Sequence, residues 1–240
     1  MAKMYGTLYG LGVGPGDPSL LTLKAKAILE QVPVVAVPVS QRGEESLALQ
    51  VVQQYLSPEQ KVLNLFMPMS RNQAYLERSW DAAAAELREN LATGRDIAFL
   101  TLGDASLYST YSYLVQRLQN IVPELKIVTV PGVTSFAAAA ASLNLPLATG
   151  DEPLAIIPAL KEPALLKEYL HLFPNLVLMK VARHYDAIVE VLQDAGLAEK
   201  AVLASRCGQP GECFNRDLAA TKGQKQDYLS LIIVKGDERA

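Results

Sequence analysis

Short runs of consecutive apolar residues alternate along this chain with longer stretches whose apolar positions recur every three or four residues. That alternation predicts strands and helices in turn. Residues 5–11, 34–39, 62–66 and 97–101 form the first four apolar runs, a pattern suited to strands covered on both faces. Helical patterns fall between them at about 18–30, 45–55 and 73–91, the last holding Ala82 to Ala85, a run of high helix propensity. An amphipathic stretch covers 107–118, Pro123 and Glu124 interrupt the pattern, and a strand at 126–130 leads into an alanine-rich helix. Residues 145–153 read as a loop, and strands recur at 154–158, 176–181, 201–205 and 229–234. Such alternation predicts the α/β class with parallel sheets. The break near 120–124 predicts two domains, 1–121 and 122–240.

Three of the predicted strands end in turns of small or polar residues. The first is Gly10-Leu11-Gly12-Val13-Gly14-Pro15-Gly16-Asp17-Pro18. Glycines at alternate positions remove Cβ atoms from one edge, so a ligand can lie against bare backbone. Asp17 is placed to cap a helix whose first residue is Pro18, where a missing N–H costs nothing. Dinucleotide binding would require Gly at the position Asp17 holds and an acidic residue some 20 positions later, yet Val35 to Ser40 carries no carboxylate. A Walker loop is excluded because Gly-Lys-Ser/Thr is absent. The second turn is Leu102-Gly103-Asp104-Ala105-Ser106-Leu107-Tyr108, and the third is Pro131-Gly132-Val133-Thr134-Ser135. In an open α/β sheet ligands sit beyond the carboxyl ends of strands, so three such turns on one edge predict a small-molecule site.

Composition narrows the classes. Half of the 240 residues are hydrophobic, enough for one large core or two modest ones. No apolar run reaches the roughly 18 residues of a membrane span, and no charged-then-apolar signal pattern opens the chain, so a cytoplasmic protein is expected. A net charge of −3 argues against nucleic acid as the main partner. Cys207 and Cys213 flank a Gly-Gln-Pro-Gly-Glu turn, and His171 and His184 lie elsewhere without zinc-like spacing, so no metal site is expected.

Taken together, Gly-x-Gly-Pro-Gly-Asp-Pro, Leu-Gly-Asp-Ala-Ser-Leu-Tyr and Val-Pro-Gly-Val-Thr-Ser resemble the tetrapyrrole methylases, S-adenosylmethionine-dependent enzymes of corrin and sirohaem synthesis. The likeness spans nearly the whole chain. Within the family, Phe99 to Leu114 and Ser205-Arg206-Cys207-Gly208-Gln209-Pro210-Gly211-Glu212 are most similar to the precorrin-2 C(20)-methyltransferases. Relatives commonly carry Pro after the Gly-Asp pair, where this chain has Ala105.

The resemblance implies two α/β domains with mainly parallel sheets, a cofactor cleft between them, a homodimer, and a methyl group added to carbon 20 of precorrin-2 or cobalt-precorrin-2. It implies S-adenosylmethionine contacts at Pro15, Leu102, Gly103, Asp104, Leu107, Thr134, Ser135, Lys180, Cys207 and Ser230. A polycarboxylate substrate implies basic residues, with Arg71 and Arg206 foremost among Arg42, Arg71, Arg78, Lys161, Arg183 and Arg206. Tyr108, Tyr111 and Tyr113 offer flat surfaces to a macrocycle, although aromatic residues at this spacing more often pack in a helix core; Tyr108 is the substrate candidate among them. Methylation at carbon 20 leaves a proton to be lost, and Asp104 is the candidate base; the competing reading makes it an N-cap for Ser106 onward. Other methyltransferases of this fold, such as one acting on uroporphyrinogen III, and a non-catalytic module binding an adenosine ligand remain the alternatives.

Overall fold

The computed structural model describes residues 5–41, 43–158, 162 and 164–236, and the chain divides into two compact units, 1–134 and 135–240. In the first unit, β1 (Leu8–Gly12), β2 (Val34–Val39), β3 (Lys61–Phe66), β4 (Ile97–Thr101) and β5 (Ile127–Val130) form one sheet in the order β3-β2-β4-β1-β5, every pairing parallel. Its central strands β2, β4 and β1 are largely apolar because both faces are covered, whereas the edge strand β3 carries exposed Lys61 and Asn64. Val34, Ala36, Ile97 and Phe99 pack on α3 (Gln73–Leu91) and α4 (Tyr111–Ile121). Val35, Val37, Ala98 and Leu100 alternate with them and pack on α1 (Leu23–Leu29) and α2 (Leu47–Val52). Tyr111 lies so close under β1 that a Cβ on Gly10 would come within 2.1 Å of its ring, and burial pushes the phenol pKa up.

The second unit holds α5 (Ser135–Ser142), β6 (Leu154–Pro158), α6 (Ala164–Leu172), β7 (Asn175–Met179), α7 (Tyr185–Asp194), β8 (Ala201–Ser205), β9 (Cys213–Asn215) and β10 (Ser230–Lys235). Its sheet runs β6-β7-β10-β8-β9. Leu176, Leu178, Leu203, Ile232 and Val234 meet Ile188, Val189 and Leu192 of α7 in a single core.

Three expectations change. The second sheet is mixed: only β6–β7 is parallel, while β7–β10, β10–β8 and β8–β9 are antiparallel. The boundary falls after Thr134 rather than Ile121, because the strand following the break pairs with β1 and closes the first sheet. The pattern at 18–30 is a single 3-10 turn at Pro18–Leu20, capped by Asp17, followed by α1, whose own cap is Thr22 accepting from the Ala25 N–H at 3.2 Å.

One carboxylate ties the second unit's sheet to the turn that precedes it. Oε2 of Glu152 accepts from the Thr149 N–H, the Asn175 amide and the Lys235 ammonium at 2.9–3.0 Å. The Thr149 N–H first, then Lys235 and Asn175, hold its pKa at about 2, against 4.5 for an unperturbed group. A pKa lowered by folding stabilises the native state fully above the unfolded value, and the contribution is lost as pH falls toward the folded value. Wild type should therefore exceed Glu152→Gln in urea midpoint at pH 7, with the gap closing between pH 4.5 and 2.

Candidate functional site

β4, β1 and β5 are adjacent, so the three small-residue turns emerge side by side at the carboxyl edge of the first sheet. Backbone contact holds them together. Gly14 and Gly103 exchange N–H···O bonds of 3.1 and 2.7 Å, and both take left-handed φ values, 80° and 74°. A Cβ on Gly132 would lie 2.2 Å from the Gly103 oxygen and 2.6 Å from the Gly12 carbonyl carbon, so a hydrogen at this position is a condition of the packing. On Gly103 a Cβ would meet nothing within 4 Å. The turns are thus locked against one another and leave bare backbone facing open space.

Asp104 clasps two of the turns. One carboxylate oxygen accepts from the Gly132 N–H at 2.8 Å; the other accepts from the Ser106 N–H at 2.8 Å and from the Ser106 hydroxyl. Partial burial raises its pKa, but hydrogen bonds from the Ser106 hydroxyl and from the Gly132, Ser106 and Leu107 N–H groups outweigh that, and the net shift is downward. Asp104 caps no helix, because residues 102–110 form a loop and α4 begins at Tyr111. The loop is closed at its base by Thr101 and Ser109, hydroxyl to hydroxyl at 2.8 Å, with Ser109 also accepting from the Tyr111 N–H. Tyr108 stands on it with φ 50° and is 44% exposed. Ala105 is buried in the core beneath.

Of the other candidates in the first unit, Pro15 is buried, and Leu102, Leu107 and Thr134 are half-buried beside the turns. Arg71 is exposed before α3, and Arg78 is exposed, turning its Nε to the Ala74 carbonyl at 3.2 Å. Tyr111 is buried and offers no free face, and Tyr113, though exposed, has one ring face stacked on Trp80 at 4.1 Å. Arg42 and Lys161 lie outside the described residues.

In the second unit the register gathers several candidates on one sheet edge. Ser230 pairs with Ser205, Leu231 with Met179, and Ser205 with Cys213, which places Lys180, Arg206, Cys207 and Ser230 together. Lys180 is exposed and left-handed at φ 59° where β7 ends; Ser135 is half-buried at the start of α5, and Arg183 is exposed. The Ser205 and Ser230 hydroxyls bond at 2.7 Å in a buried pair. Burial, then the Glu212 charge, pushes the Cys207 thiol up to about 11, so it stays a thiol at neutral pH and is no nucleophile. Among the described residues no group of three or more His, Cys, Asp or Glu is placed to hold a metal ion, and no helix is long and apolar enough to cross a membrane.

Two participants were missed by sequence reasoning. Ser106 was seen only as following a possible cap, although Asp-x-Ser is itself the signature of a local Asx turn. Asp227, bound to Arg206, carries no local signal because the two residues are 21 positions apart.

A wholly parallel α/β sheet with three interlocked, glycine-bearing turns at its carboxyl edge, joined to a second α/β unit, has the layout in which open α/β proteins bind small molecules. The chain belongs to the tetrapyrrole (corrin/porphyrin) methylases, whose family model matches residues 7–221. It is 39% identical over 233 residues to the cobalt-precorrin-2 C(20)-methyltransferase of Salmonella typhimurium, covering 96% of this chain and 97% of that one. It is 33% identical, over all of both chains, to the probable cobalt-precorrin-2 C(20)-methyltransferase of Methanocaldococcus jannaschii. Among solved structures, a cobalt-precorrin-4 methyltransferase shares the fold with a TM-score of 0.72 at 23% identity, covering 95% of this chain and 94% of that one. The uroporphyrin-III C-methyltransferase of Thermus thermophilus, complexed with S-adenosylhomocysteine, shares it at 0.65 and 23%, covering 96% and 97%.

Proposed function

We propose that this chain is an S-adenosylmethionine-dependent C-methyltransferase that adds a methyl group to carbon 20 of precorrin-2 or its cobalt chelate in corrin synthesis. The observation that carries the reading is full-length similarity to two proteins named for that reaction, on a chain whose own turns leave an open backbone face at Gly103.

The residues fit such a donor. Gly103 presents backbone unobstructed by side chains, Leu102 and Leu107 supply apolar surface, and Pro15 and Thr134 flank them. Ser135, Lys180, Cys207 and Ser230 are assigned to the same ligand in the second unit. When bound, S-adenosylmethionine supplies a methyl group already activated on a sulfonium. The protein therefore has chiefly to hold the reacting atoms in line, roughly 3–3.5 Å apart, and to exclude water. Arg71 and Tyr108 are assigned to the macrocycle, as an anchor for a carboxylate and a flat surface. Asp104 is assigned the fixing of the turns: its oxygens already accept three hydrogen bonds, and its lowered pKa makes it a weaker base for the carbon-20 proton. A homodimer in the cytoplasm belongs to the same reading.

Incubation with S-adenosylmethionine and precorrin-2, with and without inserted cobalt, is expected to add one methyl group to at least one form by mass spectrometry, at carbon 20 by NMR. Inertness toward both, with methylation of uroporphyrinogen III, would replace this reading with the porphyrinogen alternative.

A further inference from the structure

We infer that Arg206 is a positioning residue that acts through Asp227 to shape the second unit's share of the donor site, rather than a clamp for substrate carboxylates. The inference rests on the proposed function and concerns how one part of that site is built.

Arg206 directly follows β8 with φ 53°, a left-handed backbone that an L side chain adopts only when its surroundings enforce it. Three bonds do so. Its N–H donates to the Leu229 carbonyl at 3.0 Å, its Nε to the Pro210 carbonyl at 2.8 Å, and its Nη1 to Asp227 at 3.1 Å. The side-chain stem lies against Gly211, whose Cβ, if present, would be 3.5 Å from Cδ and Nε. The Gly208 N–H, donating to Glu212 at 2.6 Å, tightens the same turn. Asp227 in turn uses its other oxygen to accept from the Leu229 N–H at 2.8 Å, fixing the residue just before Ser230. Ser230 then closes the ring by bonding back to Ser205, next to Arg206.

Ser230 is set against Ser205 by strand pairing, and the loops carrying Cys207 and leading into Ser230, both residues assigned to the donor, are tied together by a guanidinium whose Nε and one Nη are already committed. The pair is partly open to water, with 38% and 33% of the two side chains exposed. An isolated surface pair of this kind contributes little to stability. Its role lies in the shape of the turn, so substitution should spare the fold and disturb binding.

The two roles predict opposite outcomes at Asp227. As a positioning pair, Arg206→Gln and Asp227→Asn each weaken S-adenosylhomocysteine binding about tenfold by calorimetry. The double variant should be no worse than the poorer single variant, because both remove the same link. The KM for the macrocycle at saturating donor should move less than twofold, and melting temperatures should stay near wild type. A raised macrocycle KM in Arg206→Gln, with unchanged S-adenosylhomocysteine affinity in Asp227→Asn, would overturn the inference and return Arg206 to the substrate. Failure of S-adenosylhomocysteine to bind the unaltered protein would instead remove the donor reading on which the inference stands.

Discussion

Replacing Gly132 with alanine is expected to lower S-adenosylhomocysteine affinity by tenfold or more and to destabilise the first unit. The added carbon would meet backbone atoms, the Gly103 oxygen at 2.2 Å and the Gly12 carbonyl carbon and oxygen at 2.6 and 2.7 Å, none of which can swing away. The turns after β4 and β5 must separate. Overpacking of this kind costs about 1–3 kcal/mol, and contact with backbone places Gly132→Ala toward the upper end. Gly103→Ala makes the contrast. Its Cβ meets nothing within 4 Å, so its penalty is the left-handed φ of 74°, about 1 kcal/mol. The new methyl group would, however, project into the open face assigned to the donor. Calorimetry with S-adenosylhomocysteine and urea unfolding should thus show both variants weakened in binding and Gly132→Ala the less stable of the two. Wild-type affinity in Gly103→Ala would mean that the donor lies elsewhere.

The central strands of the first sheet were legible because they are buried on both faces. Continuous apolar runs such as 34–39 and 97–101 leave no polar position facing water, which signals a covered parallel strand, and α3 appeared with its observed limits. The turns were legible because their glycines serve local geometry that any sequence must encode locally. What failed depended on the chain's return path. Strand direction in the second sheet is set by which edge the chain re-enters, and apolar runs such as 201–205 and 230–234 read alike either way. The boundary failed for the same reason, since no local signal says that Ile127–Val130 pairs with β1 rather than with the strands after it. β9 is three residues long, too short for any period to register. The start of α4 moved from Leu107 to Tyr111 because Tyr108 is left-handed, and the Ser109 hydroxyl accepts from the N–H of Tyr111 where the helix begins.

At Asp104 the expected result is a loss in binding without the signature of a lost base. Asp104→Ala removes every acceptor that joins the turn after β4 to Gly132. Asp104→Asn keeps the shape but presents an NH2 group to one set of N–H donors, so that side of the clasp opens as well. Hydrogen bonds to a charged group contribute about 1.5–3 kcal/mol each when intact, and solvent access at this half-buried site lowers that figure. A loss of about tenfold in S-adenosylhomocysteine affinity is expected for Asn, and more for Ala. The split between kcat and donor binding separates the roles. Asp104 titrates below its ordinary value of 3.8, so the clasp is intact throughout the neutral range and opens only as pH falls through that lowered pKa. With donor saturating, wild type and Asp104→Asn should therefore share the same acid limb in kcat between pH 5 and 8. A proton acceptor at this position would behave otherwise: its amide variant would lose most of kcat across this whole window, while binding the donor as tightly as wild type. That pattern in a rapid-mix methyl-transfer assay would restore Asp104 to proton transfer and leave Ser106 and Gly132 as the groups that orient it.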